Sequence, residues 1–242
     1  MRTILIYIYF AFLMLATLFL KLYMIVLKKI KTPDEYKDII HKVVNSWADH
    51  VLNVIGVKVD IIGIENIPEE ECLFVSNHQG NADFLLLMAK LNKHLGFIAK
   101  KELLKIKIVS MWMKEMHCVF LDRDNIRESL KGINEGAENL KNGYSMVIFP
   151  EGHRSKSHKL GEFKKGSMKL AVKAGVPVVP LVVDNTFKVF EEKKGRLTKT
   201  KVTLSILKPI DVKTLTKEEK ADLAEIVRKK IDEELKKIVM QQ

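Results

Sequence analysis

The stretch Cys72-Leu73-Phe74-Val75-Ser76-Asn77-His78-Gln79-Gly80-Asn81-Ala82-Asp83-Phe84 decides the fold. Its apolar first part, 72–76, has the length and composition of a strand buried on both faces. A polar turn follows, and it opens a leucine-rich segment, 83–90, of helical length. A strand that ends in polar residues and hands over to a helix is how α/β sheets present functional groups.

The same alternation continues outward from this stretch. Short apolar runs predict strands at 57–62, 96–99, 118–121, 145–149, 178–183 and 202–207. Helical patterns fall between them at 101–113, 126–141 and 166–174. A last helix starts at 217 and reaches about 239, with Leu223, Ile226, Val227, Ile231, Leu235 and Ile238 at helical spacing. That stripe reads as core packing rather than as a second membrane segment. No internal repeat and no long Pro/Gly linker interrupts the pattern. The expectation is an α/β fold, a single mixed sheet covered by helices, forming one domain over 56–242.

The amino-terminal end is different. Residues 3–20 carry no charge, Lys21 interrupts, and 22–27 are apolar again. A membrane span needs roughly 20 apolar residues, so the run is long enough. A cleaved signal peptide fits less well: only Arg2 offers a basic start, and no small-x-small site follows. The next segment, 33–54, has a broad apolar stripe that includes Ile40, Val44, Trp47, Val51 and Leu52. It can lie on a membrane surface or pack on the domain. Residues 1–55 are therefore expected to form an N-terminal hydrophobic helical membrane anchor. A spanning helix and a two-helix insertion into one leaflet both fit. Lys28, Lys29 and Lys31 place the domain on the cytoplasmic face of the cell (inner) membrane by the positive-inside tendency.

The bulk numbers agree with one domain plus an appendage: 242 residues, 47% hydrophobic, with a formal net charge of +11. Such a charge points to acidic partners, whether nucleic acid, anionic lipid or an acidic protein. Cys72 and Cys118 both sit in apolar runs, so they read as core residues in a reducing compartment. There is no CxxC or Cys/His cluster to suggest zinc.

Three strand ends gather chemistry. His78 and Asp83 stand five residues apart across the strand–helix turn. A carboxylate there can fix one imidazole nitrogen and free the other as a base; equally, Asn81 or Asp83 can be a helix cap and His78 a surface residue. Phe149-Pro150-Glu151-Gly152-His153-Arg154-Ser155 places an acid, a glycine and an arginine in one loop. Glycine allows close backbone approach, and arginine can grip phosphate bidentately. Lys156, Lys159, Lys164 and Lys165 make the loop strongly basic. Cys118-Val119-Phe120-Leu121-Asp122-Arg123-Asp124 ends a third strand in charge; Arg123 can bind phosphate or pair with its acidic neighbours. Val176-Pro177-Val178-Val179-Pro180 reads as structural, shaping a pocket wall.

Taken together, NHQGNAD, VFLDR, FPEGHRS and VPVVP, in that order over 72–183, resemble the four motifs of the PlsC-type lysophosphatidate acyltransferases. Four ordered motifs, each at an expected strand end, are specific where one is weak. The departure is His153, where that family has threonine or another small polar residue.

The resemblance implies direct acyl transfer from acyl-ACP or acyl-CoA to the sn-2 hydroxyl of lysophosphatidic acid, making phosphatidic acid in phospholipid biosynthesis. It implies His78 as base and Asp83 as its orienting partner. Lys100, Arg123, Glu151, Gly152 and Arg154 would bind the acyl acceptor, with backbone N–H groups near Gly152 as candidate oxyanion donors. No metal or other cofactor is implied, since a thioester is already activated. The partners implied are the phospholipid bilayer and an acyl carrier protein or CoA thioester.

Glycerol-3-phosphate or another lysophospholipid remains an alternative acceptor. A hydrolase fits less well, because no G-x-S-x-G elbow occurs. A membrane-tethered nucleic-acid binder rests on charge alone; aromatic residues are only 7%, so no nucleic-acid partner is expected.

Overall fold

The computed structural model describes residues 1–122 and 125–241. The seven expected strands appear among them: β1 Lys58–Ile62, β2 Leu73–Ser76, β3 Leu95–Lys100, β4 Val119–Leu121, β5 Ser145–Ile148, β6 Val178–Asp184 and β7 Lys201–Ile206. They form one sheet in the order β1-β7-β6-β2-β5-β3-β4. Five neighbouring pairs are parallel and β6 with β7 is antiparallel, so the sheet is mixed. β2, β5 and β6 are buried at every residue. Central strands covered on both faces need this unbroken apolar composition. β1, at one edge, is mostly exposed and carries Lys58 and Asp60, charges that discourage pairing with another chain. Pro180 lies just beyond the last β6–β7 pair, Leu181 with Ile206, and contributes only its carbonyl, to Leu207 N–H.

The helices are α1 Arg2–Ile30, α2 Pro33–Ile55, α3 Ala82–Lys90, α4 Lys107–Glu115, α5 Ile126–Lys141, α6 Lys169–Ala174, α7 Phe187–Phe190 and α8 Lys217–Met240. One face of the sheet is covered by α2 and α3; the other by α5, α6 and α8, which bury Leu140, Leu170, Leu223, Val227 and Ile231. The helix expected over 101–113 is broken at Ile106, whose φ of −90° and ψ of 85° leave the helical region, so a 3-10 turn precedes α4. The segment 166–174 likewise begins as a 3-10 turn before α6. The single turn α7 carries no periodic signal long enough to be read from sequence. Cys72 and Cys118 are free and buried, and burial pushes both thiols up to about 12.

Between α1 and α2 the chain reverses. Thr32 caps α2 in a reciprocal box with Glu35, and Pro33 opens its first turn. The two helices then run antiparallel. Arg2 donates to Ile55 O, and Tyr9 Oη lies 2.6 Å from His50 Nε2. Lys21 does not interrupt α1; its ammonium reaches Glu115 at the end of α4, which also receives Lys28 at 3.4 Å and the Tyr36 hydroxyl at 3.0 Å. The opposite face of α1 is apolar and open, with Leu5, Phe12, Leu15, Phe19 and Leu22 all more than half exposed. By length and composition α1 is long and apolar enough to cross a membrane.

Candidate active site

β2 ends between β6 and β5, in the middle of the sheet. From there the chain leaves for α3 on one face, whereas β5 leads to α6 on the other. Crevices at the carboxyl ends of such strands are where open α/β sheets hold ligands. The turn after Ser76 brings Asp83, in the first turn of α3, against the His78 ring. Asp83 Oδ2 lies 2.6 Å from His78 Nδ1 and also accepts the backbone N–H groups of Gln79 (2.8 Å) and Gly80 (3.0 Å). Asp83 is fully buried, and three donors on one oxygen fix its orientation. With Nδ1 donating to the carboxylate, Nε2 holds the lone pair of a ring that is 20% exposed. Phe149 supports that ring from behind, stacked at 4.2 Å and 21°.

Neither alternative cap bond forms. Asn81 occupies the N-cap position of α3 but makes no side-chain cap, because its Oδ1 accepts from Arg154 Nη1 at 2.6 Å. Arg154 is thus drawn to the His78 turn, and Ser155 N–H donates to His78 O at 2.8 Å. The same Arg154 Nη1 lies 3.2 Å from Glu191 Oε1.

Glu151 is 3% exposed. Its Oε1 accepts from His78 N–H at 2.7 Å and its Oε2 from Gly161 N–H at 2.8 Å. A Cβ at position 161 would fall 2.7 Å from Oε2, so the bond needs glycine there. Burial raises the Glu151 carboxyl above its ordinary value, opposed by its two backbone hydrogen bonds and by the nearby His78 and His153. Both oxygens are turned inward. As placed, Glu151 braces the His78 turn through Oε1 and the segment at Gly161 through Oε2. Gly152 has φ of +75°, and its N–H donates to Phe149 O at 3.1 Å, closing the turn. That amide is engaged within the turn; the next one, of exposed His153, has no hydrogen-bond partner among the described residues.

Lys100 stands at the end of β3, two strands from β2, exposed and paired with Glu102 at 2.9 Å. It shares the edge with His78 without touching its turn. Arg123 lies outside the described residues.

Sequence reasoning missed a second imidazole–carboxylate pair. Asp184, fully buried at the end of β6, accepts from His158 Nδ1 at 2.7 Å and from Gln79 Nε2 at 3.3 Å. Its signal was present as a lone acid closing the apolar run Val-Val-Pro-Leu-Val-Val. Glu191 gave no such signal within its charged segment.

Comparison with known proteins is consistent across three kinds of match. The family model described as Acyltransferase matches residues 58–184. The probable 1-acyl-sn-glycerol-3-phosphate acyltransferase of Mycoplasma pneumoniae is 36% identical over 175 residues, covering 70% of this chain and 65% of that protein. The 1-acyl-sn-glycerol-3-phosphate acyltransferase of Saccharomyces cerevisiae is 34% identical over 193 residues, 78% of this chain and 64% of that protein. The chain thus spans a little under two thirds of the length of these curated relatives. The crystal structure of the 1-acyl-sn-glycerophosphate (LPA) acyltransferase PlsC from Thermotoga maritima superposes with a TM-score of 0.83 at 29% identity, over 98% of both chains.

Proposed function

This chain belongs to the acyltransferase family, and on that premise we propose that it transfers a fatty acyl group from a thioester to the sn-2 hydroxyl of lysophosphatidic acid, forming phosphatidic acid. The observation that carries the reading is the His78–Asp83 pair, 2.6 Å apart, with Arg154 held against the same turn. A base and a phosphate-gripping cation at one strand end suit an acceptor that has both a hydroxyl and a phosphate. The names of the relatives point to the same acceptor.

In this reaction His78 Nε2 takes the hydroxyl proton as the oxygen attacks the thioester carbonyl carbon. Asp83 keeps the ring in the right tautomer and stabilises the imidazolium that forms. The tetrahedral intermediate collapses, the C–S bond breaks, and the departing thiolate recovers the proton from His78. Arg154 holds the acceptor phosphate, joined by Lys100 and Arg123. The donor is the thioester of either coenzyme A or acyl carrier protein. Glycerol-3-phosphate, which offers the same phosphate and hydroxyl groups, is the second acceptor to test.

Residues 1–55 serve as the anchor, with the open apolar face of α1 in the bilayer and the domain on the cytoplasmic side. Tyr7 supports this placement: its hydroxyl donates to Gly195 O at 2.5 Å, in the loop that leads into β7. β7 runs antiparallel to β6, so that loop lies at the edge of the sheet that bears His78. The amino-terminal end of the anchor and the site therefore share an edge, as a bilayer-resident acceptor requires.

The test is acyl transfer by the purified protein in detergent, offering lysophosphatidic acid and glycerol-3-phosphate separately, each with acyl-CoA and with acyl-ACP. Phosphatidic acid should form with the wild type and be lost in His78→Ala. Transfer to glycerol-3-phosphate alone would replace the acceptor, and full activity in His78→Ala would overturn the assignment of the base.

A further inference from the structure

Arg154 is not a free surface cation. Its Nη1 is gripped by Asn81 Oδ1 at 2.6 Å and Glu191 Oε1 at 3.2 Å, while Glu191 Oε1 also accepts Asn81 N–H at 2.8 Å. The three residues close a ring. Glu191 lies just past α7, and its side chain is only 4% exposed, whereas that of Arg154 is 36% exposed. A buried carboxylate is costly unless it is paired, so this one is tied to the ring. Its second oxygen, Oε2, is buried and has no hydrogen-bond partner among the described residues. Room for it comes from Gly80, where a Cβ would fall 2.5 Å from Oε2. A carboxylate in that position gains little for the fold, because half of its hydrogen-bonding capacity is wasted.

What the arrangement does is aim a guanidinium. With Nη1 engaged, the Nε–Nη2 edge of Arg154 makes no hydrogen bond or ion pair among the described residues. That edge is the fork that takes two oxygens of a phosphate at once. An untethered arginine would have to be ordered each time an acceptor bound, whereas one held on its far side is ordered beforehand.

We propose that Glu191 is a positioning residue: it holds Arg154 so that the fork faces the acceptor phosphate and fixes the phosphate's distance from His78. This rests on the reading of Arg154 as the phosphate contact. Because Asn81 and His78 belong to one turn, the ring ties the place of the phosphate to the place of the base. It does so through an element separated from Asn81 by 110 residues of sequence.

The experiment is steady-state kinetics on the full-length protein in detergent, with lysophosphatidic acid varied against whichever thioester supports turnover. The variants are Arg154→Ala, Glu191→Ala, Glu191→Gln and the double alanine variant. Glu191→Ala should raise the acceptor KM about tenfold, as loss of a charge-assisted hydrogen bond implies, with the donor KM unchanged. Glu191→Gln keeps an oxygen for Asn81 and Arg154 and should recover most of that loss. In the Arg154→Ala background, Glu191→Ala should raise the acceptor KM no further.

If Arg154→Ala raises the acceptor KM and Glu191→Ala does not, the positioning role is wrong and the phosphate reading stands. If Arg154→Ala leaves the acceptor KM unchanged, the phosphate reading fails and the positioning role with it. Should Glu191→Ala not fold, Glu191→Gln and its double variant with Arg154→Ala decide. A rise in acceptor KM that disappears in the Arg154→Ala background supports the proposal; a fall in kcat alone, equal in both backgrounds, overturns it.

Discussion

The ring of His78 lies almost flat against the ring of Phe149, with centroids 4.2 Å apart and planes inclined by 21°. The two residues follow the adjacent parallel strands β2 and β5, whose register pairs Val75 with Ile148. The pose of the imidazole is thus set by the sheet as well as by its carboxylate partner. Asp83 fixes the ring at one nitrogen, Glu151 fixes the backbone N–H of the same residue, and Phe149 limits rotation about its plane.

Phe149→Leu keeps the apolar bulk and removes the flat surface. Turnover should fall by roughly tenfold while the acceptor KM stays near that of the wild type, since orientation is lost and binding is not. Paired measurements of kcat and KM check this. A kcat equal to the wild type would mean that the stack does not hold the ring.

Asp83→Asn changes one atom at a position with no exposure. In the wild type Oδ2 takes His78 Nδ1 and two backbone N–H groups; an amide oxygen there serves them only as a neutral, weaker acceptor, and a flipped amide turns NH2 toward Nδ1. The histidine should lose its favoured tautomer, and kcat should drop about a thousandfold or more. Circular dichroism separates this from unfolding; a folded variant with ordinary turnover would remove the pair from the mechanism.

The sequence was most readable where structure is local. The strand over 72–76 and the His78–Asp83 contact lie within one strand–turn–helix unit, so spacing alone could suggest them. FPEGHRS was legible for the same reason, as a loop closing one buried strand. Glu191 was not, because its partners Asn81 and Arg154 lie 110 and 37 residues away and it sits in a charged segment that resembles any solvated loop. His158 and Asp184 meet only because the loop after β5 crosses the turn after β2 to reach the end of β6, a relation that no local pattern encodes. Lys21 misled in the other direction. Within an apolar run a lysine reads as an interruption, and its meaning appears only when Glu115 is brought to it from α4.

That pairing makes the docking of α1 testable. Burial alone would raise the Glu115 carboxyl, but hydrogen bonds from Lys21 and Tyr36 and the charges of Lys21 and Lys28 outweigh it and hold the group below its ordinary value of 4.5. A lowered folded-state pKa gives stability that is present above pH 4.5 and lost as the pH falls through the folded-state value. Lys21→Met should cost about 1–3 kcal/mol of docking. It should expose the turn after α1 to trypsin at Lys28, Lys29 and Lys31. The wild type should become similarly open to an acid-active protease only below pH 4.5. Equal cleavage of wild type and variant at neutral pH would mean that α1 is not held by this contact.

Glu151 should behave in the opposite sense. Burial holds its carboxyl above the ordinary 4.5, so the folded state keeps a proton that the unfolded chain releases. Its contribution to stability is therefore full below pH 4.5 and is lost as the pH rises through the raised folded-state value. Glu151→Gln carries no ionisable group and escapes that loss. Its amide must, however, turn an N–H toward either His78 N–H or Gly161 N–H, at a cost of about 1–3 kcal/mol. The variant should accordingly be less stable than the wild type at pH 4, and the gap in Tm should narrow toward pH 7 as the wild type loses its advantage. Thermal melts of both proteins across that range decide it. A gap that widens with pH would show that the two backbone hydrogen bonds outweigh burial and that the Glu151 carboxyl is lowered rather than raised.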